Sequence, residues 1–284
     1  MDAEDRTQEA ERSMRRGIEL LRQEIAQMED HPELAGSGGD EAAEELADAR
    51  EHLREALSSA LCSLAELLMG SAADEADEAD EEGDAFQELL AASPALQECE
   101  NLLQEAQCLW SRSPEPLQAL SSLRHLQGQD DLALELLRQS LSLWHIPLPP
   151  GAEERLENGR GGTNEVNMVE EAGASPEISG TLPSYEFRFE TAKLLLELDD
   201  SMETAASVLE GLLEENDTVP DVWLLLAVAY RSGGELEAAA EAASEGASMA
   251  RKLGLPADHE VVAALGELET ELSHMVVHTA VGAD

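Results

Sequence analysis

Residues 220–253, PDVWLLLAVAYRSGGELEAAAEAASEGASMARKL, decide how this chain folds. With Pro220 as position one, the large Trp223 stands at four, and Leu226 and Ala227 stand at seven and eight. Tyr230 falls at eleven, and the small residues Ala239 and Gly246 fall at twenty and twenty-seven. The pattern recurs 35 residues upstream, where Ala192, Thr204 and Gly211 align with Ala227, Ala239 and Gly246. Two antiparallel helices that cross closely need small residues at the crossing and large ones in the groove beside it. The segment therefore reads as one helix over 220–231 and a second over 235–253.

This spacing is that of the tetratricopeptide repeat. Stacked helix pairs of this kind make a concave binding surface, so the default role is a scaffold. Working outward, Leu182-Pro183-Ser184 opens a third pair over 184–198 and 201–215. A second pair spans 114–127 and 130–144, with Leu117, Leu120, Ser121, Gly128, Ala133 and Ser140 at the repeat positions and Arg124 at position eleven. The first pair is a long helix from Asp40 to Met69, with a stripe of Leu46, Leu53, Leu57, Leu61, Leu64 and Leu68, and a helix from Ser93-Pro94 to about Ser111. Gly70 reads as its stop and Asp40 as its cap. Residues 6–29 read as a charged helix with Ile18, Leu21, Ile25 and Met28 on one stripe, and residues 259–278 as a capping helix. The fold class expected is all-α: a tetratricopeptide-repeat superhelix of about four helix pairs with a C-terminal capping helix. The domain expected spans 40–258. It is preceded by a charged helix and linker (1–39) and followed by the cap and tail (259–284). Residues 71–92 read as an acidic insertion, mostly unstructured through SAADEADEADEEGD (71–84), and 145–181 as a long linker rich in Pro and Gly.

Sixty-two Asp and Glu face seventeen Lys and Arg, giving a formal net charge of −45. That balance repels nucleic acid and anionic membranes, whose binders carry basic footprints. It attracts cationic proteins. The longest apolar stretch, Val222–Tyr230, is far short of the roughly 20 residues that span a bilayer, and no secretory signal opens the chain. Cys62, Cys99 and Cys108 form no CxxC pair and read as reduced, buried thiols. Asn216-Asp217-Thr218 matches a glycosylation sequon and reads as a turn between repeats. His274 and His278 lie four apart but lack a third ligand. No nucleophile elbow, phosphate loop or dinucleotide fingerprint is legible, so the reading is a non-enzyme with no cofactor and no metal.

In tetratricopeptide repeats the first helix of each pair lines the groove at positions two, five, six, nine, twelve and thirteen. In the third pair these are Glu186, Phe189, Glu190, Lys193, Leu196 and Glu197; in the fourth, Asp221, Leu224, Leu225, Val228, Arg231 and Ser232; in the second, Glu115, Gln118, Ala119, Ser122, His125 and Leu126. The candidate partner-binding residues are Glu186, Phe189, Glu190, Lys193, Glu197, Asp221, Leu225 and Val228. They form an apolar wall with acidic spots. Only Lys193 and Arg231 offer positive charge, so the carboxylate clamp of heat-shock co-chaperones is incomplete.

Several strings resemble the dedicated assembly-chaperone family of large-subunit ribosomal protein four. These are LPSYEFRFETAKLLLEL (182–198), VLEGLLEENDTVPDVWLLLAVAY (208–230), EPLQALSSLR, LRQSLSLW and ALSSALCSLAEL (56–67), together covering roughly residues 45–255. The resemblance implies an acidic superhelix that captures this newly made ribosomal protein, whose long internal extension is strongly basic. It also implies that the chaperone keeps its cargo soluble until it joins the pre-ribosome. The expected partner is thus a basic ribosomal protein, the expected location cytoplasm and nucleus, and the free protein a monomer. No basic cluster provides a nuclear import signal, so entry would depend on the cargo or on the 30.6 kDa mass. The competing readings are a general tetratricopeptide scaffold and a histone-type acidic chaperone for other basic proteins.

Overall fold

The computed structural model describes residues 3–30, 39–78, 90, 93–145, 182–198 and 202–281. Among these residues there are ten helices and no strand. They are α1 (Ala3–Asp30), α2 (Gly39–Glu78), α3 (Pro94–Leu109), α4 (Glu115–Leu126), α5 (Asp130–Ser142), α6 (Tyr185–Glu197), α7 (Met202–Glu215), α8 (Pro220–Gly233), α9 (Leu236–Lys252) and α10 (Glu260–Val281). The chain divides into two compact units, Met1–Ser140 and Leu141–Asp284.

In the first unit α2 packs on α3, α4 lies against both, and α1 lies against α2. Ser58 Oγ donates to the Ala106 carbonyl at 3.0 Å and Cys99 Sγ to the Ala65 carbonyl at 3.3 Å, so α2 and α3 run antiparallel. Leu57, Leu61, Leu64, Leu68, Leu96 and Leu103 are buried between them, while Leu46 and Leu53 of the same stripe are half-buried. The next pair crosses where small residues were expected. Ser121 Oγ (position eight) donates to the Ala133 carbonyl (position twenty) at 2.6 Å, and Ser140 Oγ to the Pro114 carbonyl at 2.9 Å. Each hydroxyl sits at a close crossing and satisfies its own hydrogen-bonding need there.

Two expectations for α2 fail. Gly70 does not stop the helix, which continues through residues 71–78 of the supposed unstructured insertion. A glycine inside a helix costs only about 1 kcal/mol. The alanine-rich residues that follow favour helix, and Ala72 is buried. The rest of the insertion (79–89 and 91–92) and linker residues 146–181 lie outside the described residues. α2 also holds a window that by length and hydropathy (1.4) alone could cross a bilayer, although no stretch of that kind was expected. Half of that window is buried inside the protein, where it builds the core. Ser93 takes the N-cap position of α3, yet its hydroxyl makes no capping bond.

In the second unit α6 packs on α7, α8 on α7 and α9, and α10 on α8 and α9. First helices also touch the next first helix: α6 meets α8, and α8 meets α10. α10 thus occupies the place of a first helix after the fourth pair. Gly246 marks the tightest approach. A Cβ built there would lie 2.8 Å from Trp223 Cβ and 3.0 Å from Leu265 Cδ2. Gly211, its sequence counterpart, has nothing within 4 Å of such a Cβ.

One closing device recurs. At Gly128, Gly234 and Gly254 the chain turns left-handed (φ 69°, 84° and 71°), as helices commonly end at glycine. Each time the next amide reaches back five residues: Gln129 to the Arg124 carbonyl, Glu235 to Tyr230 and Leu255 to Ala250, at 2.8, 2.8 and 3.1 Å. The sequon at 216–218 is a turn between α7 and α8, with Asn216 Oδ1 accepting from the Thr218 amide at 3.1 Å and the Thr218 hydroxyl at 2.6 Å.

Candidate functional site

The eight candidate residues lie on two neighbouring helices of the second unit. α6 begins where Ser184 Oγ accepts from the Phe187 amide at 3.2 Å. α8 begins at Pro220, whose missing N–H costs nothing in a first turn. Glu186, Glu190 and Glu197 on α6 and Asp221 on α8 are exposed, whereas Phe189, Lys193, Leu225 and Val228 are half-buried. The arrangement is a partly apolar floor edged by carboxylates. Lys193 Nζ pairs with Glu190 Oε2 one turn earlier at 2.8 Å. Arg231 Nη1 pairs with Glu271 Oε2 of α10 at 2.7 Å. The two cations of this face are therefore both held by carboxylates of the same unit.

The second pair contributes less than its positions suggested. Gln118 and Ala119 are buried, because α4 packs directly on α2. Glu115 is half-buried, and burial pushes its carboxyl above the usual range. The Ser59 hydroxyl bonds to it and opposes that shift, while the nearby Glu55 carboxylate adds to it. His125 Nδ1 lies 2.8 Å from Asp130 Oδ1.

Sequence reasoning passed over Arg188. It stands at position four of the third repeat, where the fourth has Trp223, and it is only 6% exposed. Its Nη1 and Nη2 each donate to Glu215 at 2.7 Å, and its Nε donates to the Pro183 carbonyl at 3.0 Å. The planar guanidinium fork thus has fixed carboxylate and carbonyl acceptors at the position where the fourth repeat carries an indole. It also holds the Glu215 carboxyl below the usual range. The signal was legible as a charged residue at a position that the pattern reserves for bulk. Nearby, Trp144 and Phe187 meet edge to face at 6.1 Å. The cysteines divide: burial pushes the Cys99 thiol up to about 11 and raises Cys62 further, but Cys108 is exposed, against expectation, because it lines an open cleft beside Ile25 and Leu57 and is not packed in the core.

Paired helices, small residues at each crossing and contacts between successive first helices define an all-α protein of the tetratricopeptide type. Over 127 residues the chain is 32% identical to the "Probable assembly chaperone of rpl4" of Emericella nidulans, a match covering 45% of this chain and 26% of that protein. It is also similar to a solved structure, "Assembly Chaperone of RpL4 (Acl4) (Residues 1-338)". That likeness has 26% identity and a TM-score of 0.53, and covers 79% of this chain and 62% of the other. The chain thus spans less than two thirds of either relative. No family model matches the chain.

Proposed function

We propose that this chain is a dedicated, non-enzymatic chaperone that binds newly made ribosomal protein L4 and keeps it soluble for ribosome assembly. The observation that carries this reading is the 32% identity to a protein named as a probable assembly chaperone of rpl4. The charge of −45 supports it, since a basic cargo would be drawn in by many carboxylates together. The half-buried Phe189, Leu225 and Val228 supply apolar area that salt does not screen. Cargo binding on the α6–α8 face, entry to the nucleus with the cargo, and a monomeric free state belong to the same proposal.

The test is the triple charge reversal Glu186→Lys, Glu190→Lys and Glu197→Lys. All three side chains are exposed, so the helical circular-dichroism spectrum and melting temperature should hold. Affinity for the basic internal extension of ribosomal protein L4 should fall by about tenfold or more, as for lost complementary charge at an interface. Unchanged affinity would remove the α6–α8 face from the account.

A further inference from the structure

Helix α1 meets its unit in two different ways. Against α2 it packs with aliphatic residues: Ile18 and Ile25 are buried, Ile18 beside Leu64 and Ile25 beside Leu57. Against α3 it reaches across with charge. Arg15 Nη1 and Nη2 donate to Glu98 Oε1 and Oε2 at 2.6 and 3.0 Å. Arg22 Nε and Nη2 donate to Glu105 Oε1 and Oε2 at 3.1 and 2.6 Å. Both partners are offset by the same 83 residues, so α1 runs parallel to α3, with the two bridges two helical turns apart. Between the helices lie two cavities of about 400 and 440 Å³, which share Arg22 and Glu105 as a common wall. Core interfaces in proteins are filled to crystal density. This seam is open, and paired charges bridge it.

The underlying surface has a readable code. α1 carries Arg-x-x-Ile twice at a spacing of seven, Arg15 to Ile18 and Arg22 to Ile25. α2 and α3 offer the complement, with Leu64 and Leu57 for the isoleucines and Glu98 and Glu105 for the arginines. The C-terminal end of α1 is held to α2 as well. The Arg50 guanidinium donates to the Met28 carbonyl, and Arg54 pairs with Glu29 at 2.9 Å. Arg6, Arg12, Arg15, Arg16 and Arg22 are five of the seventeen basic residues of the chain, and they stand among eight Asp and Glu of the same helix, so it is the placing of Arg15 and Arg22 and not the net charge of α1 that matches Glu98 and Glu105.

We propose that α1 is an exchangeable strap over an acceptor seam for a basic amphipathic helix of another protein, one with arginines seven apart and an aliphatic residue three after each. The seam is separate from the α6–α8 face and does not depend on its role. Helix-in-groove recognition uses this division of labour, with apolar anchors for grip and flanking charge for register. While the strap is closed, its own arginines occupy Glu98 and Glu105. A competing helix must displace them.

The test uses the full chain and a labelled synthetic peptide of residues 3–30 as probe, read by fluorescence anisotropy. The native chain holds its own strap and should bind the probe weakly. The Arg15→Glu, Arg22→Glu chain should release its strap and bind the probe at least about tenfold more tightly, as two charge pairs would give. A second arm guards against mere unfolding. A probe carrying R15E and R22E should bind the Glu98→Arg, Glu105→Arg chain and not the R15E, R22E chain, while the native probe shows the reverse preference. Matched preference establishes the seam as an exchangeable acceptor. Equal binding of either probe to both variants, or no gain on strap release, would overturn the proposal.

Discussion

Gly246 and Gly211 occupy the same repeat position, yet alanine should act on them in opposite directions. Gly211 lies inside α7 with open space where a Cβ would go. Alanine there gains helix propensity and loses nothing, so Gly211→Ala should stabilise by about 0.5–1 kcal/mol. At Gly246 the same propensity gain meets Trp223 Cβ at 2.8 Å and the Leu265 methyls at 3.0 and 3.3 Å. Overpacking of this kind costs about 1–3 kcal/mol. Trp223 Cβ sits close to the backbone and its indole is held by a 2.8 Å bond from Nε1 to the Asp217 carbonyl, so the contact is hard to relieve. Gly246→Ala should therefore destabilise by about 1 kcal/mol net, placing the two variants about 2 kcal/mol apart. Urea unfolding followed by helical circular dichroism reads this as midpoints moving to either side of the native value at constant slope. The melting temperatures should shift by roughly 2–4 °C per kcal/mol. If Gly246→Ala were as stable as Gly211→Ala, the close crossing of α8, α9 and α10 at Gly246 would be refuted.

The Arg188–Glu215 pair should be asymmetric. Glu215→Ala strands a buried guanidinium and should cost about 3 kcal/mol, whereas Arg188→Met leaves an exposed carboxylate and should cost about 1 kcal/mol, both by chemical denaturation. Because Arg188 holds Glu215 below its ordinary value, the pair's stabilisation is present above the unfolded glutamate value and is lost as pH falls through the folded one. Glu115 has the opposite sign. Its raised value favours the protonated folded form, so stability is lost as pH rises through that value, and Glu115→Gln should raise the melting temperature at pH 7 with a gain that vanishes in acid. A melting curve for E115Q that is no better than native at neutral pH would show the carboxylate to be well solvated.

The repeat was legible because its positions are set by geometry. Ser121 meets Ala133 at one close approach of α4 and α5 and Ser140 meets Pro114 at another, at the small-residue positions of the repeat. The starts of α6 and α8 were legible at Ser184 and Pro220 for the same local reason. What failed were readings in which local preference had to yield to tertiary packing. Gly70 is a poor helix former, but the buried Ala72 beyond it and the core that α2 builds carry the helix past it. Gln118 and Ala119 fall at groove positions by count, yet the contact of α4 with α2 covers them. Arg188 was passed over because a guanidinium can replace an indole only when carboxylate and carbonyl acceptors stand in place, and Glu215 lies 27 residues away. The ion pairs of α1 with α3 span 83 residues and leave no trace in local periodicity.

Calorimetric titration of the native chain with the basic internal extension of ribosomal protein L4, at low salt and at roughly 0.5 M salt, addresses the proposed role most directly. Sub-micromolar, one-to-one binding that weakens in salt but survives is the predicted result, with carboxylates supplying the screened part and apolar residues the remainder. Binding that vanishes in salt, or that an unrelated basic peptide or a histone mixture reproduces, would contradict a dedicated chaperone and leave only an acidic scaffold.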